Sequence, residues 1–292
     1  MENRKSLLNV TSVDIVPNLS IRIPTVGEIL EDEDVYYGIV SSLTATPFQY
    51  MVQLDDMEID YTTINEWQLF RILFINYSNR ELAYKLKLKE LEKEIKKHDI
   101  QSDSYMQCQK EICLLNNYIQ ESEYSFNLVF KNFHLTSEIQ GQLVGFNEYK
   151  YNNSDDIVLY NPATQVEINQ LVYNDLAETI RKINLFEKVK SKPGNESARK
   201  YLLEKERKKQ KRNAKKTKEP YLEKLVIALV NTSEFPYNYE TCMDLSIYKF
   251  NQSFKQIQQK ITFDKTMIGV YAGTVDTSKM ANKDALSWIS SK

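Results

Sequence analysis

Glycine and proline are scarce in this sequence, with seven residues of each in a chain of 292. β-Sandwiches and Gly-rich phosphate-binding loops need these residues at their turns, so the scarcity argues against both and favours helices. Hydrophobic residues make up 42% of the chain and charged residues 27%, close to the average for soluble globular proteins. We therefore expect a helical protein with a real hydrophobic core.

Cysteine and histidine are also scarce, with three and two residues respectively. Cys108, Cys113 and Cys242 show no CxxC spacing, so the sequence predicts neither a disulfide framework nor a zinc site. Cys108 and Cys113 fall within a helical pattern and are predicted to be reduced and buried. His98 lies at an apolar seam position near a helix end, where packing and a favourable charge at the helix C-terminus account for it. No metal and no cofactor is predicted.

Signatures of catalysis and of membrane insertion are missing as well. The sequence contains no GxGxxG, GxxxxGK[ST], GxSxG or HExxH motif. It has no run of about 20 apolar residues that could cross a membrane, and its first ten residues lack the apolar core of a signal peptide. We expect a non-enzymatic protein with no membrane partner that is made and kept inside a cell.

Helical periodicity is clearest in the C-terminal run from Glu219 to Gly273, which predicts three helices. The first begins beside Pro220 and ends near Asn231, and the second covers about residues 239–247. The third has an apolar face of residues spaced by four, three and four. A second apolar segment, around residues 67–75, is predicted to be a central core helix. The predicted core residues of the two segments are Trp67, Phe70, Phe74, Phe250, Phe254, Ile257 and Ile261.

Four helix starts are predicted from capping signals in the sequence. Thr46 followed by Pro47 has the pattern of an N-cap and a first-turn proline. Three Thr-x-x-Glu pairs have the spacing of a capping box, in which each side chain satisfies a free backbone amide of the first helical turn. These pairs are Thr25 with Glu28, Thr63 with Glu66, and Thr164 with Glu167.

Two apolar stripes with a coiled-coil-like period occupy residues 79–119, one on each side of a polar break at residues 99–103. Stripes of similar length joined by a short turn predict an antiparallel helical hairpin. After them the apolar residues alternate, and Phe126, Leu128, Phe130 and later 157–159 are predicted to form strands of a small antiparallel sheet.

The predicted fold is therefore mainly α, with α+β character, in four parts. Residues 1–78 and 164–292 form the helical main domain, 79–120 the inserted hairpin, and 121–163 the small β region. The C-terminal part includes a basic helix at residues 196–218.

The charge distribution is uneven along the chain. Residues 199–218 contain eleven Lys or Arg and only two acidic residues, Glu204 and Glu206. Without this run, 27 of the 38 basic and 38 of the 40 acidic residues remain, so the near-neutral net charge of −2 hides a dipolar molecule. The residues predicted to contact a partner are Arg199, Lys200, Lys205, Arg207, Lys208, Lys209, Lys211, Arg212, Lys215 and Lys216.

Two kinds of contact fit this basic run. It could bind nucleic-acid phosphates, but only Tyr201 is interleaved with the cations, so the stacking platform of a single-strand binder is missing. The favoured alternative is an exposed helix whose positive face meets an acidic surface of the protein itself or of a partner. Two acidic clusters, at residues 28–34 and 55–60, lack the pattern of a calcium loop and could supply such a surface.

Several segments resemble a known protein family. They are IRIPTVGEIL with YYGIVSSLTATP, VQLDDMEIDYTTINEWQLF, KPGNESARKYLLEKERKKQKR, ALVNTSEFPYNYETCMDLSIYKFNQSFKQIQQK and IGVYAGTVDTSKM. These strings are similar to proteins from the morphogenesis clusters of phages and prophages of Gram-positive bacteria. The resemblance covers most of the chain and is weak in the hairpin at 79–119.

The resemblance implies a tail or baseplate assembly protein, such as a tail assembly chaperone, that binds other tail components in the host cytoplasm. Expected partners are the tape measure, tail tube or baseplate proteins, and oligomerisation stays open. A structural subunit of the tail, baseplate or neck, which stays in the virion, is the first alternative. A nucleic-acid-binding factor that uses the basic helix 199–218 is the second.

Overall fold

The computed structural model describes residues 6–150, 156–189, 191, 193–214, 221–280 and 283–289. These residues form ten α-helices and small antiparallel sheets, which confirms the mainly helical α+β class. The helices are α1 (Val26–Glu31), α2 (Glu33–Leu43), α3 (Met51–Asp56), α4 (Glu66–Glu94), α5 (Asp103–Val129), α6 (Gln170–Asn184), α7 (Glu196–Asn213), α8 (Tyr221–Val230), α9 (Tyr239–Met243) and α10 (Ile247–Tyr271).

The strands of the described residues form three antiparallel sheets, each built from strands that are close in the sequence, and Ile21 of β2 also forms a single antiparallel bridge with Phe130. β1 pairs with β2, β3 with β4, and β6 lies between β5 and β7. The strands are β1 (Ser12–Val16), β2 (Leu19–Arg22), β3 (Thr136–Ile139), β4 (Gln142–Gly145), β5 (Asn147–Lys150), β6 (Ile157–Asn161) and β7 (Val166–Ile168).

The main core is built around the first half of α4, as its apolar pattern predicts. The ring of Phe70 lies 5.0 Å from that of Phe74 and 4.6 Å from that of Tyr173 on α6. Phe74 also contacts Phe146 at 5.1 Å between ring centroids. Trp67, Phe70 and Phe74 are all buried. This aromatic centre lets α4 contact the sheets and α6 at the same time.

The C-terminal helices complete this same core. The predicted core residues Phe250 and Ile257 are buried on α10, whereas Phe254 and Ile261 are partly buried against the main core. The backbone amide of Val26 donates to the carbonyl of Leu245, and that of Ile247 donates to the carbonyl of Pro24, both at 2.8 Å. The segments at 24–26 and 245–247 are therefore joined by backbone hydrogen bonds as well as by apolar packing.

The three helices predicted between residues 219 and 273 are present as α8, α9 and α10, with α9 ending at Met243, before the predicted end at 247. Pro220, the predicted first-turn residue of α8, lies outside the described residues. The backbone amides of Tyr221 and Leu222 donate to the Glu33 carboxylate at 2.8 and 3.0 Å, so a side chain from α2 satisfies the start of α8.

Two of the three predicted capping boxes are wrong. Thr25 and Glu28 do form a box at the start of α1. Instead of Thr63, Asn65 caps α4 and forms the box with Gln68, because Thr63 lies in a turn where its hydroxyl donates to the carbonyl of Asp60.

Thr164 and Glu167 do not begin α6. Glu167 lies in β7, where it pairs with Tyr160 of β6, and the helix starts after the N-cap Asn169. The Thr-x-x-Glu spacing is a local signal, and at this site it is overridden by strand pairing. Thr46 does cap a short 3₁₀ turn at 47–50 that leads into α3.

The predicted strand at Phe126, Leu128 and Phe130 is also wrong, because α5 continues to Val129. Phe126 and Phe130 are four residues apart, and their rings stack at 6.2 Å on one side of the helix end. All three positions are buried against the main core. Because every one of them is apolar, the sequence does not show whether the repeat is the two residues of a strand or the four residues of a helix. The sheet of this region begins at Thr136.

The predicted hairpin is present as the second half of α4 packed on the first half of α5. Leu91, Cys108 and Leu115 form its small apolar core, separate from the main core. Cys113 is exposed, contrary to the prediction that both hairpin cysteines are buried. Both helices continue into the main domain without interruption, so the hairpin extends two core helices and is not attached through a flexible linker.

A buried carboxylate marks the base of the hairpin. Glu81 on α4 is 2% exposed and accepts hydrogen bonds from Ser122 on α5 at 2.8 Å and Thr136 on β3 at 2.6 Å. The Lys85 ammonium lies 3.0 Å from the same carboxylate. A buried charge is tolerated only when it is fully paired, so this network fixes where the hairpin leaves the body.

We predict that the outer hairpin can be removed without unfolding the body. Replacing residues 88–115 with a short Gly/Ser linker removes the separate apolar core of the hairpin but keeps Glu81, Lys85 and Ser122. Thermal unfolding followed by circular dichroism should stay cooperative.

Deleting residues 79–119 instead removes Glu81 and leaves the hydroxyl of Thr136 buried without its acceptor. That longer deletion should be the less stable of the two, by about 1–3 kcal/mol, because it leaves a buried neutral hydroxyl without a hydrogen-bond partner. Loss of cooperative unfolding in the shorter replacement would contradict an independent outer hairpin.

Candidate interaction surface

The predicted basic helix is present as α7, and its sequence explains where it starts. Asn195 is the N-cap, and its side chain accepts from the backbone amide of Ala198. Glu196 lies in the first turn, where a carboxylate favours the positive end of the helix dipole, and Lys211 and Arg212 lie in the last turn. Lys215, Lys216 and the rest of the predicted helix up to 218 lie outside the described residues.

One face of α7 is held on the body by apolar contacts. Leu202 and Leu203 pack against a small apolar cluster built by α3 and its neighbours, which includes Met51, Val52 and Leu54. The prediction of partner contacts considered only the charges of this run and missed the two leucines. An adjacent Leu pair in an otherwise charged helix was the signal that one side of it is covered.

The same face is held by ion pairs to the second acidic cluster. The guanidinium of Arg207 lies 2.7 Å from the Asp55 carboxylate and 2.6 Å from that of Asp56. Arg199 lies 3.5 Å from Asp60. Hydrogen bonds from the backbone and hydroxyl of Thr62, together with Arg199, hold the pKa of Asp60 below its usual value. The cluster at 55–60 is therefore an internal complement for part of the basic run.

The opposite face of α7 carries cations that pair with none of the described acidic residues. Within the described part of the chain, Lys205, Lys208, Lys211 and Arg212 form no ion pair, whereas Lys200 and Lys209 lie near Glu196 and Glu206 of the same helix. All six side chains are exposed. We call Lys205, Lys208, Lys211 and Arg212 the cationic stripe. Their spacing of three, three and one places them on one side of a helix.

Tyr201 lies beside the cationic stripe and is 65% exposed. Together with Glu204 and the four cations it lines a shallow depression on the outer face of α7. An exposed aromatic ring among cations offers both apolar area and a polar hydroxyl to a partner. The four cations and the exposed ring suit contact with an extended anionic surface.

The first acidic cluster is used within the fold. Glu28 completes the capping box and pairs with Arg22; although burial opposes it, hydrogen bonds from Thr25 and Arg22 lower its pKa. Asp32 caps α2, and Glu33 holds the start of α8. These three carboxylates thus accept hydrogen bonds at the starts of helices.

A second depression, of about 510 Å³, lies between residues 46–48, 61–66 and 188–191. Its one carboxylate, Glu66, is paired with Lys188 at 2.7 Å and with Arg181 at 3.3 Å. Glu66 is thus held by two cations of the fold.

Three potential metal ligands meet at the end of the hairpin. The ligand atoms of Glu94, His98 and Cys108 lie within 4.8 Å of one another. The sequence predicts His98 and Cys108 to be separate packing residues. Only the turn between α4 and α5 brings them together.

Comparison with known families finds a match in the C-terminal part of the chain. A family model described as the YomV second domain matches residues 210–291, which is less than half of the chain. The family is phage-associated, so the C-terminal part of the chain is similar to a domain of phage-derived proteins. The comparison with curated proteins gives no match, and neither does the comparison with solved structures. None of the described helices has the length and apolar character needed to cross a membrane.

We predict that apolar contacts, more than ion pairs, hold α7 on the body. Replacing both Leu202 and Leu203 with Asp removes burial that contributes less than about 3 kcal/mol per leucine, and it places carboxylates against apolar α3. Hydrogen exchange of the α7 backbone amides should accelerate strongly in this variant. Arg207→Gln should change the exchange only slightly, because the ion pairs of Arg207 are solvent-screened.

Lys209→Gln, which alters an exposed pair within the helix, is the control and should leave the exchange unchanged. Equal protection of α7 in the wild type and the double-Asp variant would contradict this account of its docking.

Proposed function

We propose that this chain is a non-enzymatic phage tail assembly protein that acts through protein contacts in the host cytoplasm during virion morphogenesis. The observation that carries the proposal is the two-sided arrangement of α7. One face is fixed to the body through Leu202, Leu203 and Arg207, and the other presents the cationic stripe to solvent. The phage-associated match at 210–291 and the sequence resemblance supply the biological setting.

A helix fixed in this way is suited to binding a partner without a large conformational change. Its backbone and its inner side chains are already ordered, so less conformational entropy is lost when the outer face is covered. The stripe extends over roughly 10 Å of helix, from Lys205 to Arg212. An acidic helix with carboxylates on one face matches that length and charge. The expected partners are the tape measure, tail tube or baseplate proteins.

Two alternatives predict different outcomes. A structural subunit of the tail, baseplate or neck would use the same surfaces but stay in the particle. A nucleic-acid-binding factor would use the stripe and Tyr201 to contact phosphates and a base, with affinity that falls steeply as salt is raised. A packed protein interface is less sensitive to salt, because much of its area is apolar.

The first experiment is quantitative mass spectrometry of purified mature particles and of the cells that produce them. An assembly factor should be abundant in the cells and absent from the particles. A fixed copy number relative to the tail tube protein in the particles would instead support the structural subunit.

We predict that neutralising the cationic stripe abolishes binding to the tail partner. The variant K205Q/K208Q/K211Q/R212Q removes four cations that form no described ion pair, so the fold should be retained. Binding can be measured by co-purification with each of the tape measure, tail tube and baseplate proteins, expressed together with the tagged chain.

The matched control is K131Q/K150Q/K182Q/K265Q, which removes four exposed lysines that lie outside both α7 and the hairpin. This variant has the same net charge as the stripe variant and should bind like the wild type. Equal loss in both would mean that net charge, not the stripe, governs binding. Loss of binding to a DNA or RNA oligonucleotide only, with protein partners retained, would favour the nucleic-acid alternative.

A further inference from the structure

The end of the helical hairpin brings together three side chains of different chemistry. Glu94 is the last residue of α4, His98 follows the short 3₁₀ turn at 95–97, and Cys108 lies in the second turn of α5. Their ligand atoms lie within 4.8 Å of one another, with 3.9 Å between His98 Nε2 and a Glu94 oxygen. The three side chains come from two helices and the turn between them, so only the fold brings them together.

The burial of the three side chains differs in a useful way. Cys108 is 9% exposed and packs in the apolar core of the hairpin with Leu91 and Leu115. The His98 side chain is about one-third exposed and that of Glu94 is about half exposed. The thiol therefore lies at the inner wall, and the imidazole and carboxylate lie toward solvent, from which an ion could enter.

The donor set selects the kind of ion. Thiolate, imidazole and carboxylate are the three usual protein ligands of Zn²⁺, at about 2.3, 2.0–2.1 and 2.0–2.2 Å. Mg²⁺ and Ca²⁺ prefer oxygen ligands alone, and a site with one sulfur and one nitrogen suits them poorly.

The present spacing is slightly wider than the site needs. Tetrahedral coordination at those bond lengths places neighbouring ligand atoms roughly 3.5 Å apart. The distances between the ligand atoms, at most 4.8 Å, therefore need to shorten by only about 1 Å. Glu94 and His98 can make such shifts by side-chain rotation because both are partly exposed.

We propose that Glu94, His98 and Cys108 form a zinc site at the end of the hairpin, with water as the fourth ligand. On binding, the Cys108 thiol loses its proton to solvent and its sulfur bonds to Zn²⁺, while neutral His98 and ionised Glu94 each donate a lone pair. The ion links the end of α4 to α5 across the turn. Its role is to hold the hairpin end in one conformation for contact with a partner.

The site can be tested with Co²⁺. This ion shows an intense sulfur-to-metal charge-transfer absorption only when a thiolate binds it. The full-length chain, kept reduced by a phosphine that supplies no thiol, is titrated with Co²⁺ and then with Zn²⁺. We expect one Co²⁺ per chain with thiolate absorption, displacement by Zn²⁺, and release of a proton in unbuffered solution. Absence of thiolate absorption in the wild type overturns the proposal.

Single substitutions identify the ligands. C108S, H98N and E94Q should each weaken Zn²⁺ binding by at least about 10-fold, since even the loss of an outer-shell partner costs that much. Circular dichroism of the metal-free variants checks that the hairpin is folded, and H98N and E94Q alter side chains that are partly exposed. Wild-type affinity in any of the three variants overturns the three-ligand site.

The exposed Cys113, five residues further along α5, supplies a matched control. C113S removes a thiol from the same helix and should leave the stoichiometry, the absorption and the affinity unchanged. Loss of binding in C113S equal to that in C108S would show non-specific thiol binding and overturn the proposal.

Discussion

Phe70 and Phe74 lie where α4 crosses the main core, and the remaining elements are arranged around their rings. Phe70 contacts Tyr173 of α6, and Phe74 contacts Phe126 of α5 and Phe146 beside the sheets. Replacing a buried phenylalanine by alanine typically costs about 3–5 kcal/mol, a large part of the stability of a domain. Because one helix carries both rings, the direction of α4 fixes where its second half leaves the body as the hairpin.

The position of α7 depends indirectly on the position of α4. The cluster that receives Leu202 and Leu203 includes Leu69 of α4, which lies beside Phe70 in the sequence but faces the other side of the helix. The acidic residues that pair with Arg199 and Arg207 lie on α3 and on the turn before α4. Helix α4 therefore supports the main core on one side and the seat of the basic helix on the other. The position of α4 thus decides where both the hairpin and α7 lie.

The ion pairs at the base of the hairpin and those under α7 differ in burial. Glu81 is fully buried and needs three partners, so it fixes geometry at the base of the hairpin. The pairs of Arg207 are exposed and screened, so they set the orientation of α7 more than its stability. Ion pairs thus hold the base of the hairpin rigidly and leave the outer face of α7 exposed to solvent.

The sequence alone determined the features that depend on neighbours within a few residues. The mainly helical class, the hairpin, the Thr25–Glu28 box and the apolar face of α10 follow from helical spacing and capping chemistry, which act along one element. Only the tertiary structure decided that Thr63 and Thr164 start no helix, that Phe126 lies in the last turn of a helix, and that Asp55 and Asp60 meet the basic run. The meeting of His98 with Cys108 was likewise decided by the fold. Such features depend on residues far apart in the chain, and periodicity carries no information on which distant groups will become neighbours.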